Sequence, residues 1–229
     1  MRAMKTSLIA GVTAMLGATL VAQGVPPTMN QESHHVRQTY IRHMRVFEVT
    51  LSPGEATADY RLDHDVAIVS LGDGVTRSRR VGSDWGAAQR RPLAMAEIAE
   101  YTGRPASLRT ENAGTTAFRG FVIENLRDGD WTKPAVLRVP GTSLRQESRA
   151  FAIYDTRLSK ATPRAVHLHE NPSLVILISG TAEVQGGGGE STFQIDRSGQ
   201  WFPTSGSDQP HTLMLAGSGE VHLVCVEAR

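Results

Sequence analysis

The chain has 229 residues, of which 40% are hydrophobic and 21% charged, with a formal net charge of +1. That composition excludes general disorder and is enough for one large or two small domains with a substantial core. So balanced a charge gives no electrostatic reason to bind nucleic acid.

At the N-terminus, Arg2 and Lys5 precede an uncharged stretch over 6–22, and the small residues Ala22 and Gly24 follow. The pattern predicts a signal peptide over 1–24, cleaved near Ala22 to Gly24, and therefore a periplasmic or secreted protein. An uncleaved anchor is the alternative, because the stretch approaches the ~20 residues a membrane span needs. Cleavage would remove Arg2 and Lys5, taking Lys+Arg from 24 to 22 against 23 Asp+Glu, so the formal charge moves from +1 to −1. Residues 25–44 read as a polar N-terminal arm, and His34, His35 and His43 are expected to be mobile within it.

From Arg45 onward the apolar residues come in short runs: RVFEVTL, VAIVSL, FRGFVIEN, AVLRV, AFAIYD, SLVILIS, TFQI, HTLML and VHLVCV. Clusters of Gly, Pro, Asp and Ser separate them, which is an all-β pattern. One segment, RPLAMAEIAEYTGRP over 91–105, predicts a short helix, with Pro92 near its start and Gly103 after its end. RSRRVGSDWGAAQRR over 77–91 is locally basic and reads as a solvated loop. GGGG at 186–189 lacks a following Gly-Lys-Ser/Thr and a helix, so it reads as a hairpin tip rather than a phosphate loop.

Two segments, 107–125 and 211–228, share a strand, an Ala-Gly turn and a second apolar strand when Asn112 is set against Leu215. Phe47 falls against Phe151 at nearly the same offset. The chain therefore divides into a first unit over 45–126, a linker over 127–147 and a second unit over 148–229. The single cysteine, Cys225, cannot form an intrachain disulfide and lies in an alternating strand, so a buried, inert thiol is expected.

Within RAVHLHENPSLVILISG, His167 and His169 are two residues apart. On a strand such residues share a face about 6.6 Å apart, so both can converge on one point inside a barrel. GQWFPTSGSDQPHTLML then delivers His211 at a strand start. Three neutral imidazoles suit a divalent transition metal, with Fe, Mn, Zn, Ni and Cu undistinguished. The alternative is a barrel without metal whose histidines are polar lining.

Here the chain resembles the cupin family. Its first motif is His-x-His, a few residues, Glu, six residues and Gly; its second is Pro-x-Gly, two residues, His, three residues and Asn. His167, His169 and Gly180 fit the first motif, and Pro203, Gly206 and His211 fit the second with two extra residues before the histidine. Ser173 stands where the family has its glutamate ligand, and Glu170 has the opposite strand parity. The resemblance implies two tandem cupin jelly-roll barrels, the first carrying the short helix, with metal ligands His167, His169 and His211.

Aligning Gly72 with Gly180 puts Asp59 and Arg61 at the histidine-pair positions and Leu108 against His211, so the first barrel is degenerate and holds no metal. His64 reads as a lone surface or hydrogen-bonded residue, and the facing of His222 stays open. By the same resemblance the protein acts on a small molecule, by oxygenase, lyase or isomerase chemistry, with a cupin dioxygenase as one such enzyme. The competing reading is a non-catalytic barrel that binds a sugar or organic acid. Exposed sheet edges would allow pairing into a homodimer.

Overall fold

The structure, a computed structural model, describes residues 24–127, 137–186, 191–206 and 210–229. Residues 1–23 of the predicted leader over 1–24, and the glycines at 187–189, lie outside the described residues. The first half carries β1 (His35–Ile41), β2 (Met44–Leu51), β3 (Tyr60–Leu62), β4 (Val66–Ser70), β5 (Gly74–Arg80), β6 (Gln89–Arg91), β7 (Ala96–Ala99), β8 (Ala106–Asn112) and β9 (Phe118–Asn125). The second half carries β10 (Thr142–Glu147), β11 (Phe151–Leu158), β12 (Arg164–His167), β13 (Ser173–Ser179), β14 (Ala182–Gln185), β15 (Thr192–Ile195), β16 (Trp201–Thr204), β17 (His211–Leu215) and β18 (Val221–Ala228).

These strands form four antiparallel sheets with the orders β1-β2-β9-β4-β7, β3-β8-β5-β6, β10-β11-β18-β13-β16 and β12-β17-β14-β15. Raising every strand number of the first pair of sheets by nine reproduces the second pair. The sequence repeat is therefore a repeat of topology, and the chain is two jelly-roll units in tandem.

The two five-stranded sheets pack face to face. Met44, Val46, Phe121 and Ile123 from one meet Phe151, Ile153, Leu174 and Val224 from the other in the central core. The opposite faces of the same strands line the two barrel interiors. Phe47, Tyr60 and Leu62 fill part of the first, whereas Tyr154, Val175, Leu177 and Cys225 fill the second. This double burial explains why SLVILIS has no polar alternation: Leu174, Ile176 and Ile178 enter the central core, and Val175 and Leu177 enter the barrel.

Several sequence expectations are corrected. The segment expected as a helix starts on the last residue of β6, turns, runs through β7 and ends in a second turn. Met95 N–H donates to Pro92 O at 2.9 Å, Ala94 has φ 62°, and β7 then pairs along β4 from Val66↔Ala99 to Val69↔Ala96. Edge pairing and the burial of Ile98 outweigh the helix propensity of the alanines and glutamates. The expected polar arm includes β1, paired with β2 from His35↔Val49 to Ile41↔Met44. The second unit begins at β10, inside the expected linker, because Thr142 to Glu147 pair with Thr156 to Ala152 of β11. Of the run at 135–139, the described residues 137–139 are not strand, although Leu137 and Val139 pack on the second core.

The ladders also fix which residues correspond between units. Met44↔Asn125 opens the β2–β9 ladder as Phe151↔Ala228 opens β11–β18, so Phe151 corresponds to Met44 and Tyr154 to Phe47. Tyr60 pairs with Leu108 where His167 pairs with His211. The first-unit equivalents of the histidines are thus Tyr60, Leu62 and Leu108, not Asp59 and Arg61. The glycine alignment was one residue out of register, and such a slip exchanges the inner and outer faces of a strand.

Candidate metal centre

An inside-outside alternation that runs through β12 and two residues past its end delivers the first two histidines. Ala165, His167 and His169 are buried, whereas Val166 and Leu168 between them are 41% and 51% exposed. His211 opens β17 directly across the ladder from His167. One potential ligand atom from each of His167, His169 and His211 lies within 4.8 Å of the others. The ring centroids are 5.3 to 5.6 Å apart, with His169 and His211 stacked at 17°.

The two motifs are held together by a close backbone approach. Gly206 has φ +63°, and a Cβ there would lie 2.1 Å from the carbonyl carbon of Asn171, so only glycine fits. Arg42, from the β1–β2 turn of the first unit, donates through Nη1 to Ser205 O at 3.1 Å and Gly206 O at 2.8 Å. The first barrel thereby braces the rim of the second.

Each histidine is oriented by a second group or left with an unused nitrogen. His169 Nδ1–H donates to Glu227 Oε2 at 2.8 Å, and Asn171 Nδ2 donates to Glu227 Oε1 at 3.3 Å. His167 Nε2 is hydrogen-bonded to Thr142 Oγ1 at 2.9 Å. His167 Nδ1 and His211 Nε2 are buried without a hydrogen-bond partner. Orphaned, buried imidazole nitrogens, with a carboxylate holding the third ring, are what a metal-binding histidine set requires. The residues present therefore fit a divalent transition metal.

Cys225 Sγ lies 3.6 Å from His169 Nε2, so the thiol adjoins the candidate centre. Its place in an apolar alternating strand made it legible as buried but not as a neighbour of the histidines. Glu227 was missed for a similar reason: it is a lone acid at the end of a strand, and only the β13–β18 ladder brings it to the site. Ser173 is fully buried on the inner face of β13, opposite Glu227 on β18, with its Oγ 2.6 Å from Thr204 Oγ1. Glu170 is exposed, as its parity required.

Burial, then repulsion from His169 and His211, pushes the His167 pKa down to about 2. Burial and then His169 push His211 down to about 3. Burial opposes a charge on His169 too, but Cys225 and Glu227 outweigh it and raise that pKa to about 10. For His167 and His211 the unfolded chain binds more protons below about pH 6.5, so the stability they contribute is present above that pH and is lost as pH falls towards about 3. The contribution of His169 has the opposite sign: it is complete below about pH 6.5 and lost as pH rises through about 10. Metal-free protein should thus lose up to about 1.4 kcal/mol per group for each pH unit below 6.5, several degrees of Tm. Thermal unfolding in chelator from pH 7.5 to 5 measures this, and a flat profile that His167→Asn/His211→Asn leaves unchanged contradicts it.

A cavity of about 370 Å³ adjoins His169 and His211, with Val184, Phe193, Phe202 and Thr204 in its wall. The remaining histidines lie elsewhere. His35 is buried in the first unit against Glu32, Phe47 and Tyr60, and His34 also contacts Glu32. Both are therefore structural groups of an ordered segment, contrary to the mobile arm expected. His43 Nε2 donates to Ala228 O at 3.0 Å, and His222 bonds Asp155 on the face of β18 directed away from the second barrel interior. His64 is half-buried between β3 and β4.

No family model matches the sequence, and no curated protein does. Solved structures do resemble it. AerE from Microcystis aeruginosa aligns at 11% identity and a TM-score of 0.62, covering 90% of this chain and 97% of that one. A salicylate 1,2-dioxygenase from Pseudaminobacter salicylatoxidans aligns at 10% identity and a TM-score of 0.63, covering 85% and 76%. A cupin 2 conserved barrel domain protein from Leptotrichia buccalis aligns at 8% identity and a TM-score of 0.54, covering 84% and 87%. At these identities the likeness is one of fold, and that fold is the cupin jelly roll.

Proposed function

We propose that this chain is an exported cupin metalloenzyme whose second barrel acts on a small oxygen-bearing molecule, and that its first barrel has lost the metal site. The observation that carries the reading is the convergence of three buried histidines, two with unpartnered nitrogens, beside a cavity of about 370 Å³. His167, His169 and His211 would hold the metal, which would supply Lewis acidity and open coordination positions for substrate or dioxygen. Glu227 and Thr142 keep the imidazoles in one tautomer and orientation. Phe193, Phe202 and Val184 exclude water and present an apolar wall, and Thr204 offers a hydroxyl on one side.

The likeness to a salicylate 1,2-dioxygenase makes dioxygen-dependent oxidation of aromatic hydroxy acids the first chemistry to test. Purified protein should be analysed for metal, reloaded in turn with Fe, Mn, Zn, Ni and Cu, and assayed for oxygen uptake with a panel of such acids. Uptake that needs the metal and disappears in His211→Ala supports the reading. Tight metal binding with no turnover of any panel member would leave a binding barrel instead. Protein recovered from the native host should begin near Val25 by mass spectrometry, and an intact Met1 on soluble protein overturns export. Pairing between chains would use the edge strand β1, on which Val36 and Tyr40 are 57% and 58% exposed.

A further inference from the structure

A second cavity lies in the first barrel, the one without the three-histidine cluster, with His35 in its lining. It measures about 480 Å³, within the range of small-molecule sites. Its floor is made of buried Met29, Tyr60, Leu62, Val66 and Phe118, and Leu108 and Val122 complete an apolar wall. At the three positions where the second barrel has imidazoles, the first has Tyr60, Leu62 and Leu108. The replacement removes metal donors, yet it does not close the space.

The rim is basic. Exposed Arg80 and Gln89 line it together with Arg91 and Tyr101. Arg91 is neutralised, since it pairs with Glu97 and donates through Nε to Thr76 Oγ1 at 3.1 Å. Arg77 is paired with Glu111 in a bidentate contact. Arg80 has no carboxylate partner among the described residues. It ends β5 opposite Leu108, on the same strand face as buried Thr76. The stretch expected as a solvated basic loop thus supplies β5 and β6, and among the described residues it leaves two guanidiniums of the lining without a carboxylate partner: Arg79, which lies over the Trp85 ring, and Arg80, on the inward strand face. Glu32, the buried acid near the floor, is held by His34, His35 and the Ala58 N–H and faces no ligand alone.

We propose that the first barrel is a metal-independent binding site for an apolar monocarboxylate, with the hydrocarbon body among Leu62, Val66 and Leu108 and the carboxylate at Arg80. An apolar chamber selects for hydrophobic surface, and Arg80, inward-facing and without a carboxylate partner, selects for an anion at one end. The site does not depend on the chemistry of the second barrel.

Decanoate is the probe, with decanol as its uncharged counterpart, titrated by calorimetry into the full-length mature protein freed of metal. One decanoate should bind per chain, and intermolecular NOEs should connect its methylenes to the methyls of Leu62, Val66 and Leu108. Arg80→Gln should weaken decanoate about tenfold or more while leaving decanol unchanged. Leu108→Trp, which projects an indole into the cavity, should abolish both, and His167→Ala/His211→Ala should abolish neither. Absence of binding by either probe at millimolar concentration overturns the proposal. So does decanoate binding that survives Leu108→Trp, is lost with the histidines, or is indifferent to Arg80→Gln. Should Leu108→Trp fail to fold, the NOE contacts in the unaltered protein decide the location.

Discussion

The double replacement His167→Ala/His211→Ala should lower the metal content of the purified protein from one equivalent per chain to none. The two residues face each other across the β12–β17 ladder, and each carries a buried nitrogen with no other partner. Losing both leaves His169 alone, and one imidazole cannot hold a divalent ion that exchanges freely with buffer, so affinity should fall by well over 100-fold. His64→Ala and His222→Ala should leave the occupancy at one, because His222 is engaged by Asp155 and neither residue joins the cluster. Total metal by mass spectrometry, with far-UV CD to confirm folding, is the measurement. Two equivalents in the unaltered chain, or one in the double variant, would show that the ion is held elsewhere. At the equivalent positions of the first barrel Tyr60, Leu62 and Leu108 offer no imidazole, so no second equivalent is expected there.

How much of this was legible in the sequence follows from the range of each signal. The three histidines could be read because two stand at the inward spacing of an extended segment, His167 at the end of β12 and His169 two residues on, and the third opens a strand, all patterns of a few residues. The tandem arrangement was legible for the same reason, as a repeat of strand, turn and strand. The helix was not, because RPLAMAEIAEYTGRP satisfies local helix preferences and only pairing with β4, some thirty residues earlier, makes it strand. The inner face of β3 was misread by one residue, since a short strand flanked by loops gives no internal check on parity. Glu227 and Cys225 were beyond reach for a different reason. They come to the histidines through the β13–β18 ladder, a pairing between segments about fifty residues apart that no local pattern specifies.

That ladder also carries the last prediction, which concerns Ser173. Ser173 is paired directly with Glu227, both are buried, and Glu227 already gives its carboxylate to His169. A glutamate at 173 would bury a second carboxylate opposite the first. In the metal-free protein Ser173→Glu should therefore cost about 3 kcal/mol, roughly 5 to 10 °C in Tm, through desolvation and like-charge repulsion. Glu227→Gln alone should keep the fold but weaken metal binding about 10- to 100-fold, because His169 loses the acceptor that orients it. Combining the two removes the repulsion and supplies a carboxylate from the neighbouring strand. The double variant should regain at least half of the lost Tm and bind metal more tightly than Glu227→Gln. Thermal unfolding in chelator and metal affinity by chelator competition, run on all three variants, test the coupling. If Ser173→Glu leaves the metal-free Tm unchanged, the side chain at 173 does not face Glu227.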